Sequence, residues 1–286
     1  VEAYGGVNAP ENCRTFLCVS FSAMDINLES AANLIAEIIT GSKFDDQCMI
    51  HELLRQAIVW MEQNIIDSGS GYAMTRIAAG HSAQGVVREC TGGFTYFQRL
   101  KTLEKNFQRY AAEFSRELAA LSKEIFAKNR LTISITGTND NAEAILENAV
   151  ICVLPVSRQK ETVCSIRPWS KRREGIVIPA DVSFTAMGGN LLQYGGAYNG
   201  SLQVLSRIVS LSYLWNVIRV QGGAYGTGLS LSNSGNACFY SYRDPTAARS
   251  LNAYRQTEGF IKQFCGTKPD LTRFIVGTVA EMDPLM

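Results

Sequence analysis

The sequence predicts an α+β fold in which short strands and amphipathic helices form layered units. Three observations lead to this class. Apolar residues recur at helical spacing over 45–69, residues alternate in polarity over 130–138, and a glycine-rich stretch over 218–245 is typical of a β-hairpin. The order strand, helices, strand is found in both halves of the chain, so we expect one α/β layer pair in each half. A length of 286 residues accommodates two such units.

The first half is predicted to begin with a strand and continue as a series of helices. "TFLCVSFSAM" (15–24) is a short apolar run of strand type. The next elements are opened by capping residues, Asp25 or Asn27 for the first helix and Asp45 or Asp46 for the second. The predicted elements are helices at 28–40, 45–69, from Ser82 with a break at Gly92–Gly93, and 106–128, a strand at 130–138, and a helix at 139–154.

The second half follows a polar, basic stretch without clear periodicity, which indicates a connector. Beyond it, Gly235 is expected to supply a positive φ in a tight "NSGN" turn, and Asp244 and Pro245 to begin a helix as N-cap and first residue. The last helix stops where another element should follow. The predicted elements are strands at 174–178 and 182–187, a helix at 199–217, the hairpin at 218–245, and helices from Pro245 and within 270–286.

Charge and composition do not favour nucleic acid or membrane partners. The net charge is +1, which gives no bulk reason to expect nucleic acid or an acidic membrane surface as partner. No apolar run approaches the roughly 18 residues that a membrane span needs. The start, "VEAYGGVNAPENC", has neither an initiator Met nor a signal-peptide pattern, so we expect a processed chain or a piece of a longer one.

Cysteine usage favours a reducing intracellular compartment. None of the eight cysteines forms a C-x-x-C pair of the kind found in zinc and redox sites. Several fall on apolar faces of predicted elements, where a free Cys behaves as a small hydrophobe. We therefore expect buried free thiols rather than disulfides. The positions are Cys13, Cys18, Cys48, Cys90, Cys152, Cys164, Cys238 and Cys265.

Common catalytic motifs are absent. The "HELLR" segment at His51 lacks the second His of H-E-x-x-H, and the inverted H-x-x-E-H pattern fails because Leu54 and Arg55 hold its last two places. "HSAQG" at His81 fits neither pattern, and a catalytic zinc needs about three protein ligands. No G-x-S-x-G elbow, G-x-G-x-x-G turn or Walker loop is found. The basic cluster at 167–173 is either a solvated part of the connector or a contact for an anionic partner.

Arg219 and Tyr225 remain as candidates, with two interpretations. In one, Arg219 is a cation on the last turn of a helix and Tyr225 a half-buried aromatic at a strand start. In the other, Gly222, Gly223 and Gly226 clear side-chain bulk, so that an extended peptide can approach. The guanidinium and the phenol would then donate hydrogen bonds to its carbonyl oxygens, which is how a developing oxyanion is stabilised.

Two stretches carry a resemblance to a known family. "YNGSLQVLSRIVSLSYLWNVIRVQGGAYGTGLSLSNSGNACFYSYRDP" (198–245) resembles the C-terminal part of the presequence protease branch of the pitrilysin-type zinc metallopeptidases, a branch that includes falcilysin. "SGSGYAMTRIAAGHSAQGVVRECTGGFTYFQRLKTL" (68–103) resembles the same proteins further upstream, in the same order. Within this match, R-V-x-G-G-A-Y-G followed by S-Y-R-D-P is the most specific string.

The resemblance implies a long parent chain of four similar α/β units, each with an antiparallel-rich sheet packed with helices, in two halves that close around a peptide. The zinc, its H-x-x-E-H helix and the catalytic Glu would belong to the first unit, which nothing here matches. Residues 1–154 would form the third unit, partial at its N-terminus, 155–173 the connector, and 174–286 the fourth unit, truncated at its C-terminus.

The resemblance also assigns roles and partners. It implies that Arg219 and Tyr225 bind the substrate near the zinc, with Gly222, Gly223 and Ala224 as the adjoining substrate-binding backbone. Zinc would be a cofactor of the full-length parent and would not be bound by this chain, which alone should be inactive. The implied partners are unstructured peptides and the N-terminal catalytic half of the same polypeptide. A non-catalytic peptide-binding or structural subunit of the same superfamily is the alternative.

Overall fold

A computed structural model describes residues 1–147, 154–157, 165–170 and 173–282. The regular elements of the described residues are helices and small antiparallel sheets, as the α+β prediction requires. The chain divides into two compact units, each assembled from separate segments. The first unit comprises Val1–Phe16, Val59–Gln98 and Ser165–Met286, and the second comprises Leu17–Ile58 and Arg99–Cys164. The expected division at 1–154, 155–173 and 174–286, the similarity of its two units and their truncation stay predictions.

A β-hairpin begins the first unit. Strands β1 (Glu2–Gly6) and β2 (Ala9–Phe16) pair antiparallel, and Asn8 takes a positive φ of 51° in the turn between them. The predicted strand at 15–24 is wrong beyond Phe16, because residues 17–24 have no regular structure and no described strand pairs with them. An apolar run becomes a strand only where a partner accepts its backbone hydrogen bonds.

A three-stranded antiparallel sheet forms the second layer of this unit, in the order β3, β5, β4. Gly235 has a φ of 85° in the turn of the β4–β5 hairpin, which confirms the predicted tight turn. The strands predicted at 130–138 and 174–178 do not form, and neither stretch pairs with a strand of the described residues. The bounds are β3 Ser183–Asn190, β4 Gly226–Leu231 and β5 Asn236–Asp244.

The helices of the first half agree well with the sequence periodicity. Helix α2 has a kink at Ser68, one residue before the predicted end, and then continues. The Ser82 side chain accepts a hydrogen bond from the Gly85 N–H and so caps α3, while Gly93 separates α3 from α4. The bounds are α1 Leu28–Gly41, α2 Gln47–Ala79, α3 Ala83–Gly92, α4 Phe94–Lys105, α5 Phe107–Ile125 and α6 Asn139–Glu147. The remainder of the helix predicted to 154 lies largely outside the described residues.

Three helices follow β3. Helix α7 begins as an α-helix and continues with the wider π-helical hydrogen-bond pattern to Val220. Helix α8 begins two residues after Pro245, so the predicted Asp244 N-cap is wrong. Asp244 instead ends β5, buried, and accepts hydrogen bonds from the Ser241 hydroxyl and the Thr246 N–H. The bounds are α7 Ser201–Val209 with Ser210–Val220, α8 Ala247–Gly266 and α9 Thr272–Met282.

The core of the first unit lies between the sheet and helices α7 and α8. Its fully buried members come from both helices and from the turn after α7, and one face of the sheet packs against them through Met187, Leu229 and Phe239. Because Leu214 and Ile218 are fully buried, the orientation of α7 is set by this packing. The buried members are Val209, Leu214, Ile218, Ala224, Ala253 and Tyr254.

The expectation of buried thiols is wrong for most of the described cysteines. Cys238 is buried, Cys13 is intermediate, and Cys18, Cys48, Cys90 and Cys265 are exposed. Cys152 and Cys164 lie outside the described residues.

Candidate functional site

The turn after α7 brings Arg219 and Tyr225 together. Helix α7 ends at Val220, and Gly223, with a φ of 81°, reverses the chain. The Gly223 N–H donates to the Arg219 carbonyl at 2.9 Å, which closes the helix end. Tyr225 then returns beside the helix, with its ring centre 5.6 Å from the Arg219 guanidinium carbon. Two side chains six positions apart thus share one surface.

The glycines of this turn are required by the backbone itself. A Cβ on Gly222 would lie 2.4 Å from the Ile218 carbonyl oxygen, which is too close for any side chain. Gly223 occupies the left-handed region, where a side chain is strained. Both residues are therefore needed to form the turn. Whether they also contact a peptide stays a prediction.

Ala224 faces inward rather than toward solvent. Its side chain is 3% exposed and belongs to the core, and its N–H donates to the Ile218 carbonyl at 3.2 Å. The Ala224 side chain and its N–H therefore already make contacts within the fold. Of the residues predicted to bind substrate, Ala224 offers the least free surface.

The hydrogen-bond donors of Arg219 and Tyr225 are available to a ligand. Tyr225 is 67% exposed, and among the described residues nothing forms a hydrogen bond with its hydroxyl. No described carboxylate pairs with Arg219, whose guanidinium carbon lies over the Trp215 ring, 3.9 Å from its centre. An arginine and a phenol with free donors on one surface can both point to the same acceptor oxygen.

Two aromatic side chains that the sequence reasoning missed support the pair. Trp215 lies four residues before Arg219, a spacing that places two side chains on one helix face, so the sequence carried a signal for it. Tyr242 contacts the Tyr225 ring edge-to-face at 5.7 Å. Gly226 pairs with Tyr242 in the sheet register, and this contact could be found only once the register was known.

The outer edge of β4, next to the site, forms hydrogen bonds with side chains of α7. The Leu229 N–H donates to the Ser210 hydroxyl at 3.0 Å, and the Leu229 carbonyl accepts from the Ser206 hydroxyl. Gln203 donates to the Leu231 carbonyl at 2.9 Å. Side chains of α7 therefore satisfy this edge, and an added peptide strand would have to displace them.

The described residues of this chain do not fit a zinc ion. His51 stacks on Phe107 at 4.3 Å and lies 3.4 Å from a Glu104 oxygen, and His81 is buried. In the part of the chain that the structure describes, no three His, Cys, Asp or Glu side chains come together as a possible metal site. Among helices built from described residues, none has the length and apolar character needed to cross a membrane.

Comparison with known proteins gives matches over most of the chain. Residues 173–285 match the family model described as PreP C-terminal domain, and residues 2–103 match the model of the associated domain of peptidase family M16, subfamily C. Protein HypA of Clostridium perfringens is 29% identical over 273 residues, which is 94% of this chain and 28% of that protein. Presequence protease 1, chloroplastic/mitochondrial, of Arabidopsis thaliana is 29% identical over 254 residues, 88% of this chain and 24% of that protein.

A mitochondrial presequence protease of Drosophila melanogaster is similar at lower identity, 24% over 246 residues, which is 85% of this chain and 24% of that protein. The chain spans about a quarter of the length of these curated relatives. Arg219 and Tyr225 both lie inside the region matched by the PreP C-terminal model.

Proposed function

Because this chain belongs to the presequence protease branch of the M16 peptidases, we propose that it provides substrate-binding side chains to a zinc-dependent endopeptidase. The substrates are unstructured peptides, held in a chamber that the two halves of the parent protein close. The zinc and its H-x-x-E-H helix belong to the N-terminal half, and this chain alone is inactive. The free donors of Arg219 and Tyr225 carry the proposal.

The chemical role of the pair follows from its donors. Attack on a peptide carbonyl turns its oxygen into an oxyanion, and fixed donors stabilise that charge more than they stabilise the ground state. The guanidinium of Arg219 supplies a positive charge together with N–H donors. The Tyr225 phenol adds a neutral O–H donor. Both hold the scissile carbonyl and act on the same oxygen.

The shape of the turn suits this role. Tyr225 is followed by Gly226, where an added Cβ would meet only the Tyr242 Cβ, at 3.8 Å. A peptide main chain that approaches Gly226 would therefore meet no side chain on that residue. Chamber size rather than a sequence motif would select substrates, and opening of the two halves would gate turnover.

The test is peptide turnover by the full-length parent carrying Tyr225→Phe or Arg219→Gln. Loss of one oxyanion donor is expected to lower kcat by about 10²–10³, with zinc content and circular dichroism unchanged. Tyr194→Phe is the matched control, because Tyr194 is 80% exposed and its hydroxyl has no described partner. This control should leave kcat unchanged.

Two results would contradict the proposal. Unchanged turnover in both variants would mean that Arg219 and Tyr225 contribute only to packing. A parent that hydrolyses no peptide and binds no zinc would instead favour the non-catalytic peptide-binding or structural subunit. The cellular compartment, predicted to be reducing, stays a prediction.

A further inference from the structure

We propose that Trp215 is a positioning residue, whose indole holds one face of the Arg219 guanidinium so that its N–H donors point at a peptide carbonyl. The inference rests on the proposed function, because it concerns how the Arg219 donors are aimed. It adds a residue that does not touch the substrate and acts through Arg219.

The geometry is that of a close stack. The Arg219 guanidinium carbon lies 3.9 Å from the Trp215 ring centre, well inside the roughly 6 Å range of cation–π attraction. Trp215 is 38% exposed, so the indole is partly fixed by the protein and partly open as a platform. Its chain neighbour Leu214 and the nearby Ile218 are fully buried and hold this stretch of helix in place.

The stack leaves the N–H donors of the Arg219 guanidinium free. A guanidinium carries its five N–H donors in its plane, while its two faces carry none. The guanidinium carbon lies 3.9 Å from the Trp215 ring centre and 5.6 Å from the Tyr225 ring centre, and neither ring accepts through an oxygen or nitrogen lone pair. An aromatic platform thus restrains the charge without using a donor, whereas a carboxylate partner would use two donors and neutralise the charge.

Arg76 in the same unit shows the opposite arrangement. Its guanidinium also lies over an indole, that of Trp169, at 5.5 Å. Its donors, however, are used by Glu89 at 3.0 Å and by Glu174 at 2.7 Å, so the residue ties elements of the fold together. The comparison separates a structural arginine from one whose donors remain free for a ligand.

The first test is a double-mutant cycle in the full-length parent with an unstructured peptide. Trp215→Leu should lower kcat/KM by about 5- to 30-fold, the range expected for losing a cation–π contact. Trp215→Phe keeps an aromatic face and should recover most of that loss. In an Arg219→Ala background, Trp215→Leu should add less than about twofold, because the guanidinium it positions is gone.

A matched control is Trp60→Leu. Trp60 is 67% exposed in the same unit, and among the described residues no arginine stacks on its ring. This change should leave kcat/KM within about twofold of the unmodified parent. A similar loss in Trp60→Leu and Trp215→Leu would mean that removing any exposed indole has the effect, which overturns the positioning role.

A second test uses the 286-residue chain alone and does not depend on activity. The ring current of Trp215 should shift the Arg219 Nε–H signal upfield in an NMR spectrum. Trp215→Leu should move that signal toward the position typical of a free arginine, and Trp215→Phe should move it less. A signal unchanged by Trp215→Leu would show that the stack is not formed in solution.

The outcomes distinguish the two proposals. If Arg219→Ala and Tyr225→Phe both leave turnover unchanged, the proposed function fails. If only Arg219→Ala leaves it unchanged, the role of Arg219 fails and the positioning role of Trp215 fails with it. If Arg219→Ala lowers turnover while Trp215→Leu does not, only the positioning role fails. Equal losses from Trp215→Leu with and without Arg219 would show that Trp215 acts independently, which also overturns the positioning role.

Discussion

One added methyl group at Gly85 should destabilise the first unit strongly. An alanine Cβ there would lie 2.2 Å from the Ala78 carbonyl carbon and oxygen and 2.5 Å from the Ala79 nitrogen. These are backbone atoms at the end of α2 and cannot rotate away, so α2 and α3 would have to separate by roughly 1 Å to restore van der Waals contact. Overpacking of this kind costs about 1–3 kcal/mol, and a clash with backbone belongs at the upper end.

Gly92 provides a control in the same helix. No heavy atom lies within 4 Å of the position that its Cβ would occupy, and its φ is not positive. Replacing a helical glycine by alanine stabilises by about 0.5–1 kcal/mol, and less at a helix end. Gly85→Ala and Gly92→Ala therefore have opposite expected signs for the same chemical change.

Thermal unfolding of the 286-residue chain, followed by circular dichroism, measures both effects. One kcal/mol corresponds to about 2–4 °C in a protein of this size class, so Gly85→Ala should lower Tm by about 6–12 °C and Gly92→Ala should raise it by about 1–2 °C. A Gly85→Ala protein that melts within about 1 °C of the unmodified chain would refute the close packing of α2 on α3.

Gly85→Ala should also weaken a hydrogen bond at the β4–β5 turn. The Ser82 hydroxyl accepts hydrogen bonds from the Gly85 N–H at 3.1 Å and from the Asn236 side chain at 2.9 Å. Displacing α3 should weaken this link, so amide exchange near Asn236 should accelerate in Gly85→Ala and not in Gly92→Ala. Equal exchange in both variants would show that Ser82 does not couple the helix to the hairpin.

Two further predictions concern buried groups. Burial raises the pKa of the Cys238 thiol to about 12, above its ordinary value of 9.0. The native chain should therefore not be alkylated at Cys238 at about pH 8, whereas exposed Cys18 should react, and peptide mass spectrometry would show both results. The neutral Cys238 thiol should stabilise the fold fully below about pH 9, and this stabilisation should decline as the pH rises toward about 12. Arg76→Met removes a partner of the fully buried Glu89 and should cost about 3–5 kcal/mol in urea unfolding, with part recovered by adding Glu89→Gln. Rapid Cys238 labelling in the native chain, or an Arg76→Met protein of unchanged stability, would contradict the respective burial.

The sequence predicted best those features that depend on neighbours along the chain. The helices expected at 28–40 and 106–128 end within a few residues of α1 and α5, because apolar periodicity and breakers act locally. The turn at Gly235 was predictable for the same reason, since a positive φ is a property of one residue and its turn. The R-V-x-G-G-A-Y-G string likewise identified Arg219 and Tyr225 as a candidate pair.

Tertiary structure alone decided the remaining features, because each depends on atoms distant in sequence. The alternating stretch at 130–138 forms no strand, since no second strand in the described part of the chain lies beside it to accept its hydrogen bonds. Ala224 proved to be a core residue, and Tyr242 came to support Tyr225 through the pairing of β4 with β5. The motif identified Arg219 and Tyr225 as candidate site residues, and the packing of α7 and the sheet decided what holds each one in place.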